Sequence, residues 1–331
     1  MKLHELGNSG LTVTPLGLGL AALGRPGYIN LGHEQDLGEE YEVEAMEAHT
    51  HEVLDAAWEA GIRYFDAARS YGRAEQFLAS WLRKRQIAPQ EVTVGSKWGY
   101  TYTAGWQVDA EVHEVKEHSL PVLQRQIGES RELLGEQLNL YQIHSATLKS
   151  GVLDNEPVLD ELARLRAGGL CIGLTLSGER QAETLERALQ VRRDGRLLFD
   201  TVQATWNLLE RSVGPLLAEA AGAGMGVIVK EALANGRLTP RNDDPGFHEQ
   251  MALLTEVAGE LQTTVDALAL AAVLAQPWAG VVLSGAATVE HLRSNARAVS
   301  LALDEATLAR LDSLQEKPAA YWETRSALEW N

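Results

Sequence analysis

One unit recurs along the 331 residues: an amphipathic helix, a glycine, a short apolar strand and a polar loop. Gly61 precedes the apolar stretch 62–66, Gly169 precedes 170–175, Gly224 precedes 225–230 and Gly280 precedes 281–283. A glycine just past a helix adopts the left-handed conformation at low cost, so each one marks a helix end. The helices carry the 3.6-residue period. In 178–192, Ala182, Leu185, Ala188 and Leu189 share one face while Glu183, Glu186 and Arg187 fall elsewhere, and in 48–60 Val53, Leu54 and Ala57 do the same. Strands are predicted at 15–20, 62–66, 92–97, 139–144, 171–175, 199–203, 226–230 and 280–283, each followed by a helix. Alternation of this kind makes a parallel sheet, and eight units in a chain of this length favour closure into an α/β (β/α)8 TIM barrel over an open sheet. No Pro/Ser-rich linker divides the chain, so residues 1–331 read as one domain. Gly7-Asn8-Ser9-Gly10 reads as the turn of a hairpin spanning 1–14, placed to close the barrel bottom.

Three segments break the rhythm: 20–47, which is acidic; 98–118, with Trp98, Tyr100, Tyr102 and Trp106; and the tail 317–331, with Tyr321, Trp322 and Trp330. The first two follow strands directly and belong on the face where barrel sites form. Segments 98–118 and 317–331 are expected to wall a substrate pocket, with Trp98, Tyr100 and His144 in it. The net charge of −17 argues against nucleic acid and anionic membrane as partners. No apolar run reads as a membrane span or a leader, and Cys171 is the only cysteine, so the expectation is a cytoplasmic protein with a buried, inert thiol. Oligomeric state is not legible.

Four ionisable groups fall at or just past three consecutive strand ends: Asp66 and Tyr71, then Lys97, then His144. Neighbouring strands lie about 4.8 Å apart, so the four side chains can converge above the barrel. An ammonium beside a phenol lowers its pKa from about 10. Lys97 is the candidate ammonium, and Asp66 would keep it charged. His144 would donate a hydrogen bond to a substrate carbonyl. The set suits protonation of an oxygen on which negative charge develops.

These residues also carry a resemblance. Phe65-Asp66-Ala67-Ala68-Arg69-Ser70-Tyr71-Gly72-Arg73-Ala74-Glu75, Ser96-Lys97, Ile143-His144, Val202-Gln203, Ala234-Asn235-Gly236 and Leu6-Gly7-Asn8-Ser9-Gly10-Leu11 resemble the aldo-keto reductases over nearly the whole chain. The resemblance implies an Asp66/Tyr71/Lys97/His144 tetrad. It also implies a nicotinamide dinucleotide that gives its C4 hydride to an aldehyde or ketone while Tyr71 protonates the oxygen. A cofactor cradle is implied too: Thr175 and Gln203 at the nicotinamide carboxamide, Glu231, Ala232, Leu233, Asn235, Gly236 and Arg237 over the pyrophosphate, and Gly19, Ala21, Asp66 and Lys230 also against the cofactor. Gly285, Ala286, Ala287, His291 and Asn295 would lie by the adenosine. The chain departs from its relatives in having Leu176 after Thr175, and Lys230 where many have a stacking aromatic, a role Trp206 is expected to fill. Gly285 and His291 stand where some relatives hold a 2′-phosphate with Lys and Arg. With Lys230, Arg237, Arg241 or Arg293 as substitutes, NADP(H) is favoured and NAD(H) possible.

Other readings are weaker. Gly17-Leu18-Gly19-Leu20-Ala21-Ala22, with Glu39 and Glu40 about twenty residues on, fits a dinucleotide fingerprint. That fingerprint needs a helix there, and Gly24, Pro26 and Gly27 break one. His49 and His51 are two apart and do not share a helix face, so no metal is expected. The alternative to an enzyme is a barrel that binds the nucleotide as a regulatory or redox-sensing partner.

Overall fold

A computed structural model describes residues 1–38 and 40–331. The hairpin strands are β1 (His4–Glu5) and β2 (Thr12–Val13), followed by barrel strands β3 (Leu16–Gly19), β4 (Tyr64–Asp66) and β5 (Thr93–Trp98). An antiparallel ribbon of β6 (Tyr100–Tyr102) and β7 (Glu114–Lys116) precedes β8 (Leu138–Ala146) and β9 (Cys171–Leu176). A second ribbon pairs β10 (Arg192–Arg193) with β11 (Arg196–Leu197), and β12 (Thr201–Thr205), β13 (Gly226–Lys230) and β14 (Val281–Ser284) complete the strands among the described residues. Eight parallel strands close in the order β12-β13-β14-β3-β4-β5-β8-β9, and all eight coincide with predicted ones.

Closure follows from strand periodicity. Successive side chains face opposite sides, so Tyr64 lies inside the barrel with Leu140, Ile228, Val281 and Leu283, while Phe65 and Val282 pack outward against the helices. Leu6 and Val13 of the hairpin join the interior cluster, and Asn8 N–H donates to the Gly224 carbonyl at 2.8 Å, so the hairpin does seal the bottom. Burying each such aliphatic chain is worth roughly 1.5–3 kcal/mol.

Three of the four punctuating glycines are left-handed: Gly61 (φ 88°), Gly169 (φ 94°) and Gly224 (φ 90°). Gly280 is not, and is needed for space instead: a Cβ there would stand 2.6 Å from Leu6 Cδ1. The helix expected over 178–192 stops at Ala188. Asp194 and Gly195, both at positive φ, turn the chain between β10 and β11, a hairpin signal that overrides the helical period. The helix expected over 48–60 begins earlier and covers Val43–Glu59. No helix opens after Gly19; the next is His33–Leu37, so the alternative fingerprint lacks its helix, and Glu39 lies outside the described residues. No single helix among the described residues is long and apolar enough to cross a membrane. Cys171 is half-buried rather than buried; its thiol donates to the Ser9 carbonyl at 3.2 Å, and burial pushes its pKa up to about 11.

Candidate active site

Parallel pairing fixes the site. Asp66 is the last residue of β4, in register with Gly19 on one side and Gly95 on the other. Lys97 is the next-to-last residue of β5. His144 lies at a bulge: pairing of β8 with β9 passes from Ile143↔Leu174 to Ala146↔Leu176, leaving one extra residue on β8, and Ser145 takes φ 53°. The three side chains meet Tyr71, in the loop after β4, in the wall of a cavity of about 730 Å³. Lys97 Nζ donates to Asp66 Oδ1 at 2.5 Å and to the Ala67 carbonyl at 2.8 Å, and Gln203 Nε2 donates to Asp66 Oδ2 at 2.7 Å. The Lys97 ammonium lies 4.8 Å from the centroid of the Tyr71 ring, and the His144 ring meets that ring edge-on at 5.5 Å. The arrangement is buried: Asp66 is 0% and Lys97 1% exposed.

The electrostatics differ from the expected tuning in one respect. Burial, reinforced by the Asp66 carboxylate, pushes the Tyr71 phenol above its ordinary value, and the opposing pull of the Arg25 guanidinium is smaller. The resting phenol is therefore protonated rather than acidified, chiefly because it is buried. Burial also lowers the Lys97 ammonium, against the pull of Asp66. Burial and then the charge of Lys97 push the His144 imidazole well below its ordinary value, so the ring is neutral at working pH.

The cavity runs from these four groups to the first turn of the helix Val289–Ala296. It is lined by Gly19, Ala21, Gln203, Lys230, Glu231, Ala232, Leu233, Asn235, Gly236, Gly285, Ala286, His291 and Asn295, as expected, and by Tyr100 and His144. Five expected residues are not among those lining it. Trp98 follows inward-facing Lys97, so the strand period turns it outward into the core, edge-on to His118. The Thr175 hydroxyl accepts from Ser145 N–H at 2.7 Å and closes the bulge. Trp206 packs edge-on against Trp278 in the helix layer. Arg237 pairs with Glu316 at 2.5 Å and stacks over Phe247 and Tyr321. Ala287 turns its carbonyl to the His49 ring.

Lining residues that the sequence did not single out include Arg25, Tyr28, Asp36 and Ser284, while Glu114, Arg325 and Trp330 line the cavity from segments 98–118 and 317–331. Arg25 is 3% exposed, pairs with Glu114 at 3.1 Å and lies over the rings of Tyr28, Tyr71 and Trp330 at 5.2, 5.3 and 4.6 Å. Nothing in its Gly-Arg-Pro-Gly setting marked it. Burial opposes ionisation of Glu231, but Arg325 at 2.6 Å and Lys230 at 3.6 Å outweigh it and hold the carboxyl down to about 2.

Residues 28–37 form a strap of which 28–31 and Asp36 line the cavity. Leu31 N–H donates to the Asn235 carbonyl at 3.1 Å, and Tyr28 and Asn331 exchange backbone hydrogen bonds at 3.0 and 3.1 Å. His33 in the strap is fully buried, edge-on to Tyr28. Burial pushes its pKa from 6.5 down to about 4, against the pull of Asp36. A depressed value means stability that is present above pH 6.5 and lost as pH falls towards 4, because the unfolded chain takes up the proton first. The loss is on the order of 3 kcal/mol. His33→Leu is therefore expected to flatten the pH dependence of the melting temperature across that window; equal slopes for the two chains would refute it.

The geometry defines a barrel with a buried Asp–Lys pair under a protonated tyrosine, at one end of a long cleft. The Aldo/keto reductase family model matches residues 15–316, and the chain belongs to that family. It is a nicotinamide-dependent oxidoreductase of carbonyl compounds. It is 26% identical to the pyridoxal 4-dehydrogenase of Microbacterium luteolum, over 88% of this chain and 91% of that protein. It is also 26% identical to the aldo-keto reductase str7 of Strobilurus tenacellus, over 91% of this chain and 87% of that one. The fold matches the aldo-keto reductase AKR11C1 from Bacillus halodurans in its holo form, with a TM-score of 0.71, 20% identity, and 96% and 97% of the two chains covered.

Proposed function

We propose that this chain reduces an aldehyde or ketone to the alcohol with Tyr71 as the proton donor. The observation that carries the reading is the Lys97 ammonium, clamped by Asp66 at 2.5 Å and lying 4.8 Å over the Tyr71 ring inside the cleft. The cleft fits a dinucleotide: it is long, it ends at a helix N-terminus, and the buried Oδ1 of Asn235, in its wall, lacks a partner. Loops after the last two barrel strands commonly hold phosphate, and here they supply Ala232, Leu233, Asn235, Gly236, Gly285 and Ala286. Gln203 would hold the carboxamide, and a reduced nicotinamide bound there would supply the hydride.

The chain's own groups do the rest. Ser70 Oγ lies 3.4 Å from His144 Nδ1; a hydrogen bond donated there leaves Nε2–H to orient the substrate oxygen. Tyr71 holds its proton until negative charge develops on that oxygen, then donates it. The phenolate left behind faces two cations, Lys97 at 4.8 Å and Arg25 at 5.3 Å from the ring centroid. Tyr28, Tyr100 and Trp330 in the wall suit a flat carbonyl, such as the pyridoxal in the name of the Microbacterium relative. The test is consumption of reduced nicotinamide against a panel of aromatic and aliphatic carbonyls. Saturable turnover is expected. Tight nucleotide binding without turnover across the panel would refute the reading and favour a regulatory barrel.

A further inference from the structure

The far end of the cleft bears on which nicotinamide dinucleotide it takes, and the argument rests on the reading above. A 2′-phosphate needs an available cation, and four were expected to serve. Three of them are already matched to carboxylates. Arg237 is held by Glu316. Lys230 Nζ donates to the Thr205 hydroxyl at 3.0 Å, with Glu231 at 3.6 Å. Arg241 is held by Asp36 and donates to the Gly32 carbonyl at 2.8 Å. The fourth, Arg293, is exposed and is not among the residues lining the cavity.

Asp36 decides the matter. It comes from the strap, 205 residues before Arg241, yet lines the adenosine end of the cleft with its side chain only 6% exposed. Its carboxylate lies between the Arg241 guanidinium and His291 Nε2, the latter at 3.9 Å. Asp266 and Glu290 line the same end. A phosphate dianion entering here meets a carboxylate that already occupies the cationic partners, whereas a ribose hydroxyl meets an acceptor. An acidic residue performs that discrimination on the ribose in open dinucleotide-binding sheets; here a residue of a different loop in a different fold would play the same chemical part.

We infer that Asp36 selects NAD(H) over NADP(H), by neutralising Arg241 and excluding the 2′-phosphate. This revises the preference drawn from sequence, which took Arg241 as one of four substitute cations for the 2′-phosphate. The test is the dissociation constants of NADH and NADPH, read by quenching of tryptophan fluorescence, for the parent chain, Asp36→Ser and Asp36→Asn. The parent is expected to bind NADH tighter by about tenfold or more, the scale of one charge repulsion near a protein surface. Both variants should tighten NADPH and shrink or reverse the ratio. Tighter NADPH binding by the parent, or loss of both affinities by one common factor in the variants, overturns the inference; the second result would mean that Asp36 only ties down the strap. If neither nucleotide binds the parent, the functional reading itself falls.

Discussion

Tyr71→Phe is expected to lower kcat by about 10²–10⁴-fold while leaving nicotinamide affinity within a small factor. The asymmetry comes from what the substitution removes. The ring keeps its contacts with the Lys97 ammonium, the Arg25 guanidinium and the edge of His144. Only the hydroxyl is lost, and with it the proposed proton donor. Because burial holds that phenol above its ordinary pKa, the parent enzyme keeps its donor protonated well above neutral pH. Its activity should therefore show no alkaline loss attributable to Tyr71 in the neutral range. Steady-state turnover of the best carbonyl, with cofactor affinity measured separately, checks both statements. Equal kcat in the two chains would remove Tyr71 from the chemistry.

Lys97→Met is expected to damage folding and catalysis together, and the two losses can be separated. The substitution leaves Asp66 as a buried carboxylate with Gln203 as its remaining side-chain donor. Breaking a buried pair on one side costs about 3–5 kcal/mol. Removing both charges in Asp66→Asn/Lys97→Met should restore most of the stability, since a buried pair contributes little net over neutral groups of similar volume. It should not restore turnover, because no ammonium then faces the phenolate. Urea unfolding and kcat on the parent, single and double variants provide the check. A double variant that regains both stability and activity would make Lys97 a structural residue only.

Much of the barrel was legible because its strands are short apolar runs, four of them preceded by a glycine, and the period-2 alternation states which residues face inward. Asp66, Lys97 and His144 were legible because they sit at strand ends, where barrel geometry leaves side chains at the mouth. The same alternation should have excluded Trp98, one residue past Lys97; the aromatic composition of 98–118 outweighed it. Thr175 was hidden by a bulge that only three-dimensional register reveals. The Tyr71 phenol is raised by burial and by charges on Asp66, Glu114 and Glu231, two of them far away in sequence, so no local pattern gives its sign. The partner of Arg241 lies in the strap, and that strap is tied to Asn331 at the other end of the sequence. Such contacts are properties of the closed chain.

The central claim, that the Tyr71 hydroxyl supplies the proton, is most directly tested by single-turnover reduction in H₂O and D₂O, comparing the parent with Tyr71→Phe. The account predicts a slower parent reaction in D₂O, and a far slower variant whose residual rate does not reproduce that isotope effect. A variant that reacts at the parent rate with the same solvent sensitivity would show that the proton comes from elsewhere.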